Sequence, residues 1–479
     1  MSSVMKVLLL NSEDLPSQGP WASSRWDLMV DLAFAGRDTY EQWSLQCGTP
    51  VRSIHEYVRD GESYAWVREV LDPGRNLLVD SMGLDWWEII AVVEYQELQA
   101  LYLLQCLHRE LGSEISYFTT QPSSFSRLLS SITGNAVPSF KAPVGRAQAL
   151  RRSFRSAMKF TPATMLEIAC DKWDPQYLFR RHVTQSRRAV AKGPIVLLPS
   201  GYCNVTRLLL QYASDVPAKN FLLAATRRSG TSSNLPDNVT QTLLSSYAQS
   251  GSASEGEEAE LLNRWSKFES TVLQQTEALR WSRDAGVWRG FPFQLRTGLR
   301  LRNAWHTLLR EEPIVGVLCA DDLNYYTRIP LILAANMDLN AVYCYHGALD
   351  GGLLFKKPYA GRYLVKGEME KDYLLHRSLV EPDLVEIGAP SSHSDGEAGP
   401  LSASSGKIVR RFSRCSILAV KSNVRWGNSE CIARTMFKEC PGPCKKSGSP
   451  NVIWVAPAST CCRMSWSTTS SGTKKKLPS

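Results

Sequence analysis

The chain has no Walker A loop, no GxGxxG following an apolar run, no GxSxG and no HExxH. These absences count against a P-loop ATPase, a dinucleotide-dependent dehydrogenase, an α/β-hydrolase and a zincin, whose chemistry rests on those spacings. No apolar run approaches the roughly 20 residues of a membrane span. The opening MSSVMKVLLLNSED has only a short apolar stretch, with acids at Glu13 and Asp14, which is a poor secretory signal. A cytoplasmic protein is the expectation. The sequons at Asn204 and Asn238 are then chance.

Acidic residues are scarce at one end only. From Leu401 to Ser479 there are 14 Lys and Arg against 2 Asp and Glu, and no His or Asp at all. Residues 1–400 hold 41 basic against 44 acidic side chains. The formal charge of +9 therefore belongs to the tail, not to a basic face of a folded body, and nucleic acid is not an expected partner. Six of the twelve cysteines crowd into the same tail, in CPGPC at 440–444, in the pair at 461–462 and singly at Cys415 and Cys431. Their spacing is irregular and no His joins them, so zinc is not expected. The six before residue 400 are scattered as reduced core thiols would be.

What is present before residue 395 has a regular pattern. Short apolar runs near 6–10, 115–119, 195–199, 221–225, 314–319, 341–345, 362–366 and 385 read as strands. Segments with helical spacing separate most of them: SSRWDLMVDLAFAG at 23–36, 84–111, 204–217, 255–281 and 328–337. The polar stretch 229–254 reads as a loop. Strands alternating with helices give an α/β protein with Rossmann-like parallel sheets and helices on both faces, followed by an irregular tail. The 479 residues exceed one core, and divide into a first α/β segment at 1–193, a second at 194–393 and the tail at 394–479. The tail, with 15 serines from Leu401 on and no sustained period, reads as out-of-frame text; a disordered basic tail is the alternative.

In an open α/β sheet ligands bind beyond the carboxyl ends of the strands. Asp321, Asp322, His346, Gly347, Asp350, Gly351, Lys366, Gly367 and Glu368 fall at such ends, and Glu13 and Asp14 lie in the first β–α loop. A His after a strand can take a proton from a hydroxyl, its ordinary pKa near 6.5 suiting neutral pH. A hydrogen-bonded structural His is the competing reading. Asp321 and Asp322 can bind a hydroxyl or orient a base, or one can cap the helix that follows. For Glu368, in KGEMEKDY at 366–373, ordinary helix capping is the stronger reading. DWWE at 85–88 reads as a buried aromatic anchor.

From Asp321 through HGALDG, KGEMEKDYL and VEIGAP the chain resembles bacterial GT-B glycosyltransferase-like proteins of surface-polysaccharide synthesis and their CDP-glycerol glycerophosphotransferase relatives. In those an HG pair ends a strand of the N-terminal domain, a G-E element follows, and a strand ending in G-x-P leads to the C-terminal domain. The matching positions are His346–Gly347, Gly367–Glu368 and Gly388–Ala389–Pro390, and the likeness covers residues 1–393. The resemblance implies transfer of a sugar or glycerophosphate from a nucleotide-activated donor, as substrate, to a polysaccharide or lipid-linked acceptor. No cofactor is held tightly, no metal is needed, and peripheral association with a membrane is compatible with it. It assigns catalysis to His346, Asp322 and Glu368, and substrate binding to Glu13, Asp14, Asp321, Gly347, Asp350, Gly351 and Gly367. Nothing in 394–479 matches the donor-binding half, so the expectation is a chain inactive as it stands. A sugar-nucleotide epimerase of the same fold and a non-catalytic α/β binding protein are the alternatives.

Overall fold

The computed structural model describes residues 4–11, 14–32, 37–58, 62–141, 193–248, 255–345, 357–378 and 380–390. The tail from 394 lies outside the described residues, as do His346, Gly347, Asp350, Gly351 and Glu13.

Two all-parallel sheets organise the chain. The first joins β1 (Met5–Leu10), β2 (Leu28–Asp31), β3 (Val51–Ser53) and β4 (Ile115–Thr119) in the order β3-β2-β1-β4. Its helices are α1 (Arg37–Cys47), α2 (Glu62–Leu71), α3 (Trp86–Leu111) and α4 (Ser124–Thr133). The second sheet joins β5 (Ile195–Ser200), β6 (Asn220–Ala225), β7 (Val239–Leu243), β8 (Ile314–Cys319), β9 (Asn340–Cys344), β10 (Arg362–Val365) and β11 (Val385–Ile387). Its order is β11-β10-β9-β8-β5-β6-β7. With it come α5 (Cys203–Ser214), α6 (Glu255–Thr271), α7 (Glu277–Asp284), α8 (Phe291–Glu311), α9 (Tyr325–Asn336) and α10 (Glu368–Arg377).

Period-two side-chain alternation gives the inner strands β5 and β6 two buried faces, as in other parallel sheets, while the edge strands β3, β7 and β11 are only partly covered. In the second sheet Ile195, Leu197, Leu222, Val317, Tyr343 and Val365 face one core. Val196, Leu198, Leu223, Leu318, Cys344 and Leu364 face the other. Helix α3 belongs to both sheets' cores. Its amino-terminal half, with Ile89, Ile90 and Leu98, packs in the larger core of the second sheet. Leu101, Leu104 and Leu107 pack under the first. Asp85 caps its start, accepting from the Trp87 amide at 3.1 Å. Trp86 and Trp87 are fully buried, Trp87 lying 4.7 Å from Phe268 and 4.5 Å from Trp288 between ring centres. They are the anchor expected of DWWE.

Three local expectations are corrected. The segment 23–36 holds a strand, not a helix: Leu28–Asp31 pairs in parallel with β1, Val7 opposite Leu28. A short apolar run fits either period, and β1 supplies unpaired backbone groups on that side that only a strand can satisfy. The loop at 229–254 contains the edge strand β7, pairing with β6 from Phe221–Val239 to Ala225–Leu243. The helix expected over 255–281 ends at Thr271, and α7 restarts after Thr276, whose side chain accepts from the Leu279 amide.

Candidate functional site at the carboxyl edge of the seven-stranded sheet

The chain runs outward from β5 through β6 to β7, then returns to the other side of β5 with β8 and proceeds outward again to β11. The direction reverses between β5 and β8, and a crevice opens where the loops after these two strands diverge.

Hydroxyls tie the loops after β5 and β6 together. Ser200 Oγ and Thr206 Oγ1 are 2.6 Å apart, Thr206 Oγ1 donates to the Gly230 carbonyl at 2.8 Å, and Ser229 Oγ donates to the Gly201 carbonyl at 3.0 Å. Gly230 has to be glycine for this: a Cβ there would lie 2.8 Å from the Ser200 carbonyl oxygen. Across the crevice, the Arg227 guanidinium lies over the Tyr326 ring of α9, 4.3 Å from its centre.

After β8 come Asp321 and Asp322, 2% and 4% exposed. Asp321 accepts from the Leu323 amide at 3.1 Å and from Thr327 Oγ1 at 3.3 Å. Asp322 pairs with Arg328 at 3.2 Å. The helix cap that one of them was expected to supply is instead Asn324, whose side chain accepts from the Tyr326 amide. Arg328 is fully buried and central. It bonds Glu88 of α3 at 2.6 Å and the Lys357 carbonyl at 3.2 Å. Glu88 also accepts from the Lys357 amide at 2.7 Å and from the Tyr359 hydroxyl at 3.3 Å. Burial works against the charge on Arg328, yet Glu88 and then Asp322 leave its pKa raised overall. Both carboxylates thus hold a buried cation in its charged form, so Asp322 is committed to Arg328.

The phenol of Tyr345, which follows β9, is 4% exposed. Among the described residues it makes no hydrogen bond. Burial first, then the nearby Asp322 carboxylate, raise its pKa, so it stays a neutral hydroxyl able to donate or accept. His346 is the next residue in sequence.

After β10, Gly367 provides no side-chain cap for α10. Of the acids that open this helix, Glu370 is buried and accepts from the Lys366 amide at 2.7 Å, while Glu368 is exposed. Asp14 belongs elsewhere. It is buried at the carboxyl edge of the four-stranded sheet, accepting from Thr120 Oγ1 and paired with Lys141, beside Asn11, whose amide donates to Thr120 at 2.9 Å.

The edge of the larger sheet therefore gathers Asp321, Asp322, Gly367 and Glu368 as strand-end residues and adds Glu88, Arg328, Tyr345 and Arg227, which sequence reasoning missed. Two of these had a visible signal: Glu88 in WWEIIAVV and Arg328 in YYTRIPLILAA are lone charges inside apolar runs. Such a residue is buried only with a partner. Among the described residues no group of three or more His, Cys, Asp and Glu is placed to hold a metal, and no helix is long and apolar enough to cross a membrane. The class is a Rossmann-like α/β protein with two parallel sheets. Compared with known proteins, the chain matches no family model, no curated protein and no solved structure.

Proposed function

We propose that this chain is a glycosyltransferase-like protein. It would take part in moving a sugar or glycerophosphate from a nucleotide-activated donor to a surface-polysaccharide acceptor. The observation that carries the reading is the topological switch between β5 and β8, with polar side chains from β8, β9 and β10 gathered on one edge. Fold analogy supplies the reaction class, and the residues supply the roles. The acceptor hydroxyl needs a base, which His346 would provide directly after the neutral Tyr345 phenol. Glu368, exposed at the start of α10, is free to bind an acceptor hydroxyl. Asp322 acts through Arg328, as a positioning residue. The leaving phosphates need positive charge, for which Arg227, Lys357 and Lys366 lie in the loops of this edge.

Transfer of this kind depends on holding donor and acceptor together, which can be worth roughly 7–11 kcal/mol of the barrier. The test compares label transfer from a panel of nucleotide sugars and CDP-glycerol by two proteins. One is this chain; the other is a version with the reading frame shifted back after codon 395. We expect turnover from the second and little from the first, and a loss of about 10²–10⁴-fold in the second on His346→Ala. Absence of transfer with every donor in both proteins, or full activity of the His346→Ala variant, would sink the proposal. A binding protein with the same sheet is the second reading. It is favoured by one observation: both Asp321 and Asp322 are engaged in structural bonds. It predicts the second of those failures.

A further inference from the structure

A groove of about 490 Å³ lies along α5; Thr206, which ties the loops after β5 and β6, lines it, and none of the residues given a role in transfer does. One wall is a single face of that helix, with Cys203, Arg207, Leu210 and Gln211 at spacings of four, three and one. The other is the loop 231–236, contributing Asn234 and Leu235. From Cys203 to Ser214 the helix wall is about 16 Å long. The volume falls in the range of roughly 300–1,000 Å³ usual for small-molecule sites.

Among the described residues the lining has one charge, the exposed Arg207, and no carboxylate, and Arg207 forms no ion pair or hydrogen bond with any of them. It sits one turn inside α5, whose first residue, Cys203, opens the groove and whose preceding Tyr202 gives no side-chain cap. A guanidinium near the positive end of a helix favours a phosphate. Further along, the side-chain amides of Gln211 and Asn234 make no hydrogen bond among the described residues, while Leu210 and Leu235 offer apolar surface. Amides and aliphatic carbons together suit the hydroxyls and C–H face of a polyol or sugar.

We infer that the groove between α5 and the loop 231–236 binds a phosphate-bearing polyhydroxy compound, with its phosphate on Arg207 and its hydroxyls on Gln211 and Asn234. The inference does not depend on the transferase reading. The ligand is a free sugar or polyol phosphate, or a phosphodiester unit of a polymer.

Calorimetry on the full chain separates these. The probes are ribose 5-phosphate, glycerophosphoglycerol, ribose and inorganic phosphate. A parallel measurement follows alkylation of Cys203, which is exposed, by peptide mass spectrometry. The expected result is that one phosphorylated polyol binds and slows Cys203 alkylation, while ribose does neither. Tighter binding of the monoester assigns the free phosphate, and of the diester the polymer. Arg207→Ala should weaken the binding by about tenfold or more, as loss of a hydrogen bond to a charged group implies, with an unchanged circular dichroism spectrum. Gln211→Ala should weaken the polyol phosphate but not inorganic phosphate. The inference is overturned if neither phosphorylated polyol binds or protects Cys203, if Arg207→Ala binds as well as the parent, or if inorganic phosphate does as well as both.

Discussion

Glu88→Ala should destabilise the protein more than any surface substitution. The carboxylate is buried in the first turn of α3 and takes three bonds: from Arg328 at 2.6 Å, from the Lys357 amide at 2.7 Å and from the Tyr359 hydroxyl at 3.3 Å. Removing it costs about 1.5–3 kcal/mol for the bond to the charged guanidinium and about 1–3 kcal/mol for leaving the Lys357 amide unmade, if that group stays dry. Arg328 would keep Asp322 at 3.2 Å, so its charge is only partly orphaned. The expected total is about 3–5 kcal/mol, which matches the usual cost of removing one partner from a buried ion pair. Glu88→Gln keeps the shape and part of the hydrogen bonding, and should cost about half as much. The assay is urea unfolding followed by tryptophan fluorescence, for which Trp86 and Trp87 on the same turn are reporters. A double-mutant cycle with Arg328→Met isolates the pair, and coupling above about 1 kcal/mol is expected for residues in one network. A Glu88→Ala loss under about 1 kcal/mol, with no coupling to Arg328, would refute the reasoning and place solvent around the pair.

Two further outcomes follow from other buried contacts. The hydrogen bond from Arg302 holds the Glu257 carboxyl down to about 2 from an ordinary 4.5. A folded pKa below the unfolded one gives stability that is present above about 4.5 and lost as pH falls towards 2. The stability gap between the parent and Glu257→Gln should therefore be constant near neutrality and close across that window in acid unfolding curves; a gap that does not change with pH removes the linkage. Gly298 lies inside α8, where a Cβ would press into the ring of Trp86, itself fixed by a 2.9 Å bond from its indole nitrogen to Asp80. Gly298→Ala gains about 1 kcal/mol of helix propensity but overpacks by about 1–3 kcal/mol, so a net loss in melting temperature is expected and a rise would contradict the packing.

Much of the fold was legible in the chain. The runs KVLLL, PIVLLPS, NFLLAA and IVGVLC are largely apolar and bounded by polar turns, and their shortness, their branched residues and the helical segments between them favour strands of a parallel sheet over buried helix. The strand-end positions of Asp321, Asp322, Gly367 and Glu368 followed from the same alternation. The strand at Leu28–Asp31 did not, because three apolar residues before an aspartate carry no period of their own and take the structure their neighbour β1 imposes. Nor did the division of the strands into separate sheets of four and seven, which depends on which edges pair and not on any one segment's pattern.

The candidate site divides along the same line. Sequence alone determined that polar residues stand at the ends of buried strands, since a short apolar run must stop where its backbone meets water. It could not say what each carboxylate does. Asp322 became a partner of Arg328, and Glu88, 240 residues before that arginine, became the anchor of the loop at Lys357, because a buried guanidinium must find acceptors wherever the packing of α3 against α9 supplies them. Such a choice rests on distances of a few ångströms between segments remote in sequence, and only the tertiary structure sets those.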